Sequence, residues 1–69
     1  MDLDALYEVI VDDIDIQVWC GDEDTFKDGI IYEGTLYASR KVVDPYMYNR
    51  IFQIEVDDHG KLYVGIEVD

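Results

Sequence analysis

The residues with chemistry to offer are nearly all carboxylates. Asp4, Glu8 and Asp12 fall at i, i+4 and i+8. On a helix that spacing stacks them along one side, rising about 6 Å per step. No Lys or Arg sits at a compensating position, so neighbours repel by roughly 0.2–0.5 kcal/mol per pair. Phosphates along one nucleic-acid strand are comparably spaced. The row therefore reads either as an imitation of a phosphate backbone or as a solvated helix face. Further uncompensated carboxylates follow at Asp12, Asp13 and Asp15, at Asp22, Glu23, Asp24 and Asp28, and at Asp57 and Asp58, and Glu55 is expected near Trp19 on the outer face of a sheet. Trp19, expected beside them at a wet surface, is the aromatic type that anchors interfaces. These eleven residues from Asp12 to Asp58 are the candidate partner-binding set.

Other chemistries fit less well. Asp22 and Asp24 match the first two ligands of a calcium loop, but Phe26 stands where the third must be and offers no oxygen. Cys20 and His59 are the only soft metal ligands, and a structural zinc takes four. A Cys–His nucleophile pair needs these two adjacent, with an orienting group and oxyanion donors. Paired-carboxylate hydrolysis needs a sizeable cleft. The expectation is no catalytic residue, no metal, no cofactor and no enzymatic activity. Arg40, Lys41 and Arg50 are expected to pair internally with acids.

The elements that must hold these groups are legible from periodicity. Leu3, Leu6, Tyr7 and Ile10 share one helical face, which predicts a helix from Asp2 to about Val11 with Asp2 as N-cap. Ile14, Ile16, Val18 and Cys20 alternate with Asp15, Gln17 and Trp19, which predicts a half-buried strand. A second strand region lies within Phe26–Tyr37. Asp44-Pro45 reads as the start of one helical turn. Phe52, Ile54 and Val56, then Leu62, Val64, Ile66 and Val68, alternate on either side of Asp57-Asp58-His59-Gly60 and predict an antiparallel hairpin. The fold class is α+β, in the order α-β-β-(short α)-β-β. A single domain over 1–69 carries an N-terminal helix packed on a mainly antiparallel sheet of about four strands. One face should collect Ile14, Ile16, Val18, Phe52, Ile54, Val56, Leu62, Val64 and Ile66. The other should show Asp15, Gln17, Trp19, Glu55, Tyr63 and Glu67.

Composition sets the class of partner. The chain carries 17 Asp+Glu against 5 Lys+Arg, a formal net charge of -12 on 69 residues. Such a body repels itself, free nucleic acid and anionic membranes alike. It is nonetheless 49% hydrophobic and 13% aromatic, which separates it from disordered acidic tails. A lone cysteine permits no internal disulfide. Met1-Asp2-Leu3-Asp4 is acidic where an export signal is basic and then apolar. Both point to a reducing cytosol, with a basic protein surface as the target and the oligomeric state open between monomer and dimer.

In size and charge the whole chain resembles small proteins of bacteriophages and mobile elements. More narrowly, it resembles anti-CRISPR proteins and related counter-defence inhibitors. The resemblance rests on Asp12-Asp13-Ile14-Asp15, on Gly21-Asp22-Glu23-Asp24 and on the Ile51–Asp69 hairpin. It is one of type, since those families share no diagnostic motif. It implies a stoichiometric DNA mimic in the bacterial cytosol, seated in the basic DNA-binding channel of a CRISPR–Cas effector or surveillance complex. Two alternatives stand beside it: an acidic antitoxin or immunity protein against a nuclease, and a small phage structural or assembly module.

Overall fold

The computed structural model describes residues 1–68. Asp2 opens the first helix. Its backbone is extended, and its Oδ1 accepts a hydrogen bond from Ala5 N at 2.9 Å, satisfying one amide that a first turn leaves unpaired. Helix α1 covers Leu3–Val9 and buries Leu3, Leu6 and Tyr7. It stops short of Val11 because Val9-Ile10-Val11 is a β-branched run, stiff against the preceding turn, and Ile10 is already extended. Asp12 therefore lies off the helix, and the expected helical row reduces to Asp4 and Glu8.

Strand β1 is Asp15–Trp19, β2 is Ile30–Thr35, helix α2 is Leu36–Val43, β3 is Ile51–Val56 and β4 is Leu62–Ile66. The sheet order is β2-β1-β4-β3. Pairings β1–β2 and β3–β4 are antiparallel, and the central β1–β4 pairing is parallel. The fold is thus α+β, with two hairpins joined along a parallel seam. Ile16 and Val18 of β1 and Leu62, Val64 and Ile66 of β4 form the floor of the core, against Leu3, Leu6, Tyr7, Leu36, Val43 and Ile51. Each such side chain contributes about 1.5–3 kcal/mol of burial, which is what opposes the self-repulsion of the acidic surface.

Two further expectations are corrected. The helical turn at Asp44-Pro45 exists as a 3-10 turn, Asp44–Tyr46, but a full helix precedes it. α2 turns Leu36, Ser39 and Val43 inward. Ser39 is tolerated there because its hydroxyl is saturated: Oγ donates to Leu36 O and lies 2.7 Å from Tyr7 Oη. Its single proton goes to Leu36, so Tyr7 is the donor of the second bond. Burial, the largest influence, pushes the Tyr7 phenol up. Arg40 ties the two helices together, donating to Tyr7 O at 3.3 Å with its guanidinium 5.3 Å from the Tyr7 ring centre.

The second correction is Phe52, which alternation assigns to the core face. The register slips between Ile51 and Gln53, and this bulge, one extra residue in the strand, turns Phe52 onto the outer face. There it meets Trp19 edge-on, with ring centres 5.1 Å apart at 87°. Gly65 makes the room: a Cβ at that position would lie 2.7 Å from Trp19 Cζ2 and 2.9 Å from Phe52 Cζ. Ile54 and Val56 return to the helix side, opposite Val64 and Leu62. They nevertheless stay 41% and 64% exposed. A seven-residue helix is about 10 Å long and cannot roof a strand of about 20 Å.

Gly65→Ala is expected to splay the Trp19–Phe52 pair, cost about 1–3 kcal/mol and shift tryptophan emission to the red. Emission and thermal unfolding together check it, and Phe52→Ala in the same chain should recover part of the loss.

Candidate partner-binding site

Strand β1 carries an acidic segment beyond each end. Asp12, Asp13 and Asp15 lie at its start. The β3–β4 turn is brought to the same end, because Leu62 pairs with Ile16 on one side and with Val56 on the other. Asp57 and Asp58, remote in sequence, thereby join the first segment. Asp22, Glu23 and Asp24 lie in the loop after Trp19, and Asp28 lies in the 3-10 turn Lys27–Gly29 that leads into β2. The two ends of the strand are about 13 Å apart. That exceeds the screening length of about 8 Å at physiological salt, so the candidate carboxylates form two electrically separate patches rather than one.

Within the first patch the turn is held by its own acid. Asp57 Oδ1 accepts from His59 N at 2.8 Å and Lys61 N at 2.9 Å, and Oδ2 accepts from Tyr63 Oη at 3.2 Å. The Lys61 amide, more than the other partners, holds this carboxyl below the usual carboxylate range. Gly60, at φ 82°, supplies the left-handed step the turn requires. Lys61 Nζ sits 2.6 Å from Glu33 Oε2 and 5.2 Å from the Tyr63 ring centre, and Gln17 Nε2 donates to the same Glu33 oxygen at 2.9 Å. The Lys61 bond lowers Glu33 and raises Lys61, with Asp15 adding to the field on the ammonium. Loss of water around Tyr63, then its bond to Asp57, pushes the phenol up.

The candidate acids divide by what their oxygens do. Asp13 Oδ1 accepts from Tyr37 N at 2.9 Å and so caps α2, whose Thr35 makes no side-chain cap. Asp22 Oδ1 accepts from Asp24 N and Thr25 N at 3.1 and 3.3 Å. Thr25, first through its side chain, holds that carboxyl low. Asp13, Asp22 and Asp57 therefore build the loops. Glu55 accepts from Gln53 Nε2 at 2.6 Å on the outer face. Asp12, Asp15, Glu23, Asp24, Asp28 and Asp58 are exposed. Among the described residues the ion pairs are Lys61–Glu33 and Arg50–Glu67, the latter at 3.8 Å; neither includes any of these six. Arg50 thus pairs as expected, whereas Arg40 spends its charge on Tyr7.

Trp19 is on the outer face as expected, but half-buried beside Phe52. Phe52, 48% exposed, is the more accessible half of the pair and was hidden by the bulge. Cys20 is half-buried, its Sγ accepting from Asp22 N at 3.5 Å, and His59 is exposed in its turn. Among the described residues no three His, Cys, Asp or Glu side chains gather to hold a metal ion, and no helix is long and apolar enough to cross a membrane. No protein-family model matches this chain, and neither a curated protein nor a solved structure does.

Two stability experiments follow from the division of labour. Asp13→Ala should cost about 1 kcal/mol through the lost cap, while Asp12→Ala leaves the melting temperature unchanged. For Asp57 the folded carboxyl lies below its unfolded value, so its contribution is present at neutral pH and disappears as pH falls through the folded value. The difference in melting temperature between wild type and Asp57→Ala should therefore be largest near pH 7 and shrink toward zero in strong acid, as thermal scans across pH will show.

Proposed function

We propose that this protein is a non-enzymatic inhibitor that occupies a basic nucleic-acid-binding surface of another protein and keeps DNA from it. The target in this reading is a CRISPR–Cas effector or surveillance complex in the bacterial cytosol. The observation that carries the reading is the gathering of Asp12, Asp15 and Asp58 at one end of the sheet, exposed and outside the ion pairs. Lys61, the ammonium drawn in among them, is engaged with Glu33.

The energetics favour an external cation. Like charges left on a body this small oppose its folding, and a partner's Arg or Lys offsets that repulsion. The long axis of the molecule, 31 Å, is close to one turn of B-DNA, about 34 Å. The second patch at Glu23, Asp24 and Asp28 lies beyond a screening length from the first. A groove that tracks a phosphate backbone presents cations over such a span, so it engages both patches at once. Half-exposed Phe52 beside Trp19 adds an aromatic surface for Arg. Charge complementarity of this kind acts mainly on the association rate.

The triple variant Asp12→Lys, Asp15→Lys, Asp58→Lys avoids every loop-building acid. It should keep its melting temperature and bind a purified effector at least about tenfold more weakly, a loss of about 1.4 kcal/mol. Most of the change should appear in the association rate, and should diminish at high salt. Surface plasmon resonance at two ionic strengths, with DNA competition, measures this. Unchanged affinity in this variant and in Glu23→Lys, Asp24→Lys, Asp28→Lys would remove the mimicry reading.

A further inference from the structure

Strand β3 ends the sheet, and its outer edge is open. The turn fixes which backbone groups face that edge. Asp57 N donates to Lys61 O at 3.0 Å, so Asp57 and Lys61 are a hydrogen-bonded pair. Antiparallel alternation then makes Glu55–Tyr63 and Gln53–Gly65 the next such pairs. The N–H and C=O groups of Ile54 and Val56 consequently point away from β4. Above the bulge the edge is already in use: Ile51 N donates to Met1 O at 2.8 Å, and Asp2 bridges Arg50 in antiparallel fashion. The chain's own start thus pairs with the top of this edge and leaves the rest.

The side chains along the open part are of two kinds. Ile54 and Val56 project to the helix side, 41% and 64% exposed. Gln53 and Glu55 project to the outer face opposite Gly65 and Tyr63. Edges of natural sheets are usually blunted by Pro, by Lys or by covering segments. From Phe52 to Val56 this one carries neither Pro nor Lys.

We propose that the edge of β3 accepts an extended, basic segment of a partner protein as a fifth strand, with apolar residues over Ile54 and Val56 and Lys or Arg facing Glu55. Main-chain bonds to Ile54 and Val56 supply the register, and alternate side chains supply the choice of partner. The charge of the segment follows from the surroundings. Glu55 lies on this strand and Asp57 and Asp58 continue it, so an incoming cation meets opposite charge directly across the ladder. A second copy of this chain would bring another -12 to the same edge and be repelled. The inference goes beyond the groove-blocking reading, since its main-chain bonds come from β3 and only Asp58 is common to both. Acidic patches can fail as DNA mimics while the edge still binds, and the reverse.

The probe is a ten-residue peptide of alternating Lys and Val, titrated into the intact protein with amide shifts and amide exchange as readouts. A Glu–Val peptide of the same pattern serves as control. Shifts and slowed exchange at Ile54 and Val56, with the Lys peptide only, are expected. Ile54→Pro deletes the edge donor without touching the β4 ladder, and should weaken the peptide at least about fivefold, the worth of one backbone hydrogen bond. Val56→Lys, a substitution at a mostly exposed position, should do the same by repulsion and covers the case in which the proline variant does not fold. Three outcomes overturn the proposal: shifts confined to the acidic loops without protection at 54 and 56, equal binding of the Glu peptide, or concentration-dependent protection of the edge in the protein alone, which would assign it to a second copy.

Discussion

Residues Ile16–Trp19 lie parallel to Leu62–Gly65, and the rest of the molecule depends on that seam. A parallel pair cannot be made by a tight turn; it needs a long crossover, here the whole chain from β2 through α2 and β3. Closing it creates the floor of the core, since Ile16, Val18, Val64 and Ile66 lie side by side there with no exposed surface. The same closure moves the 57–58 turn beside Asp15. The core and the acidic end of the sheet thus depend on the same pairing, and an apolar contact is what places the charges.

Much of the fold was legible because it is local. Asp2 and the spacing of Leu3, Leu6 and Tyr7 specified α1, and strict alternation around Asp57–Gly60 specified the second hairpin. The misses have physical causes. α2 was hidden because Ser39 stands on its inner face, where an apolar residue would complete the pattern, and because its cap comes from Asp13, remote in sequence. Phe52 was misplaced because a bulge adds one residue and inverts the alternation; the one trace of it is Gly65, a strand residue without a side chain, opposite the slip. The parallel seam has no local signature at all.

The candidate site was legible as composition and not as geometry. Runs of Asp and Glu marked the acidic segments, but nothing in the runs separates Asp13, Asp22 and Asp57, which hold loops together, from Asp12, Asp15 and Asp58, which face water. That sorting depends on where backbone amides point. It matters for any electrostatic reading, because a carboxylate already accepting two or three hydrogen bonds is a poorer ligand for a partner's cation than a free one.

The strand order has a consequence for biosynthesis. β4 occupies an interior position of the sheet, yet of the four strands it is the one translated latest. Until it emerges, β1 has a neighbour on one side only, and the apolar row of Ile16 and Val18 is left along a bare flank. Such a bare apolar flank is the kind of surface that makes folding intermediates prone to aggregate, and the negative charge around β1, at Asp12 and Asp13 before it, at Asp15 where it begins and at Asp22, Glu23 and Asp24 after it, repels like chains.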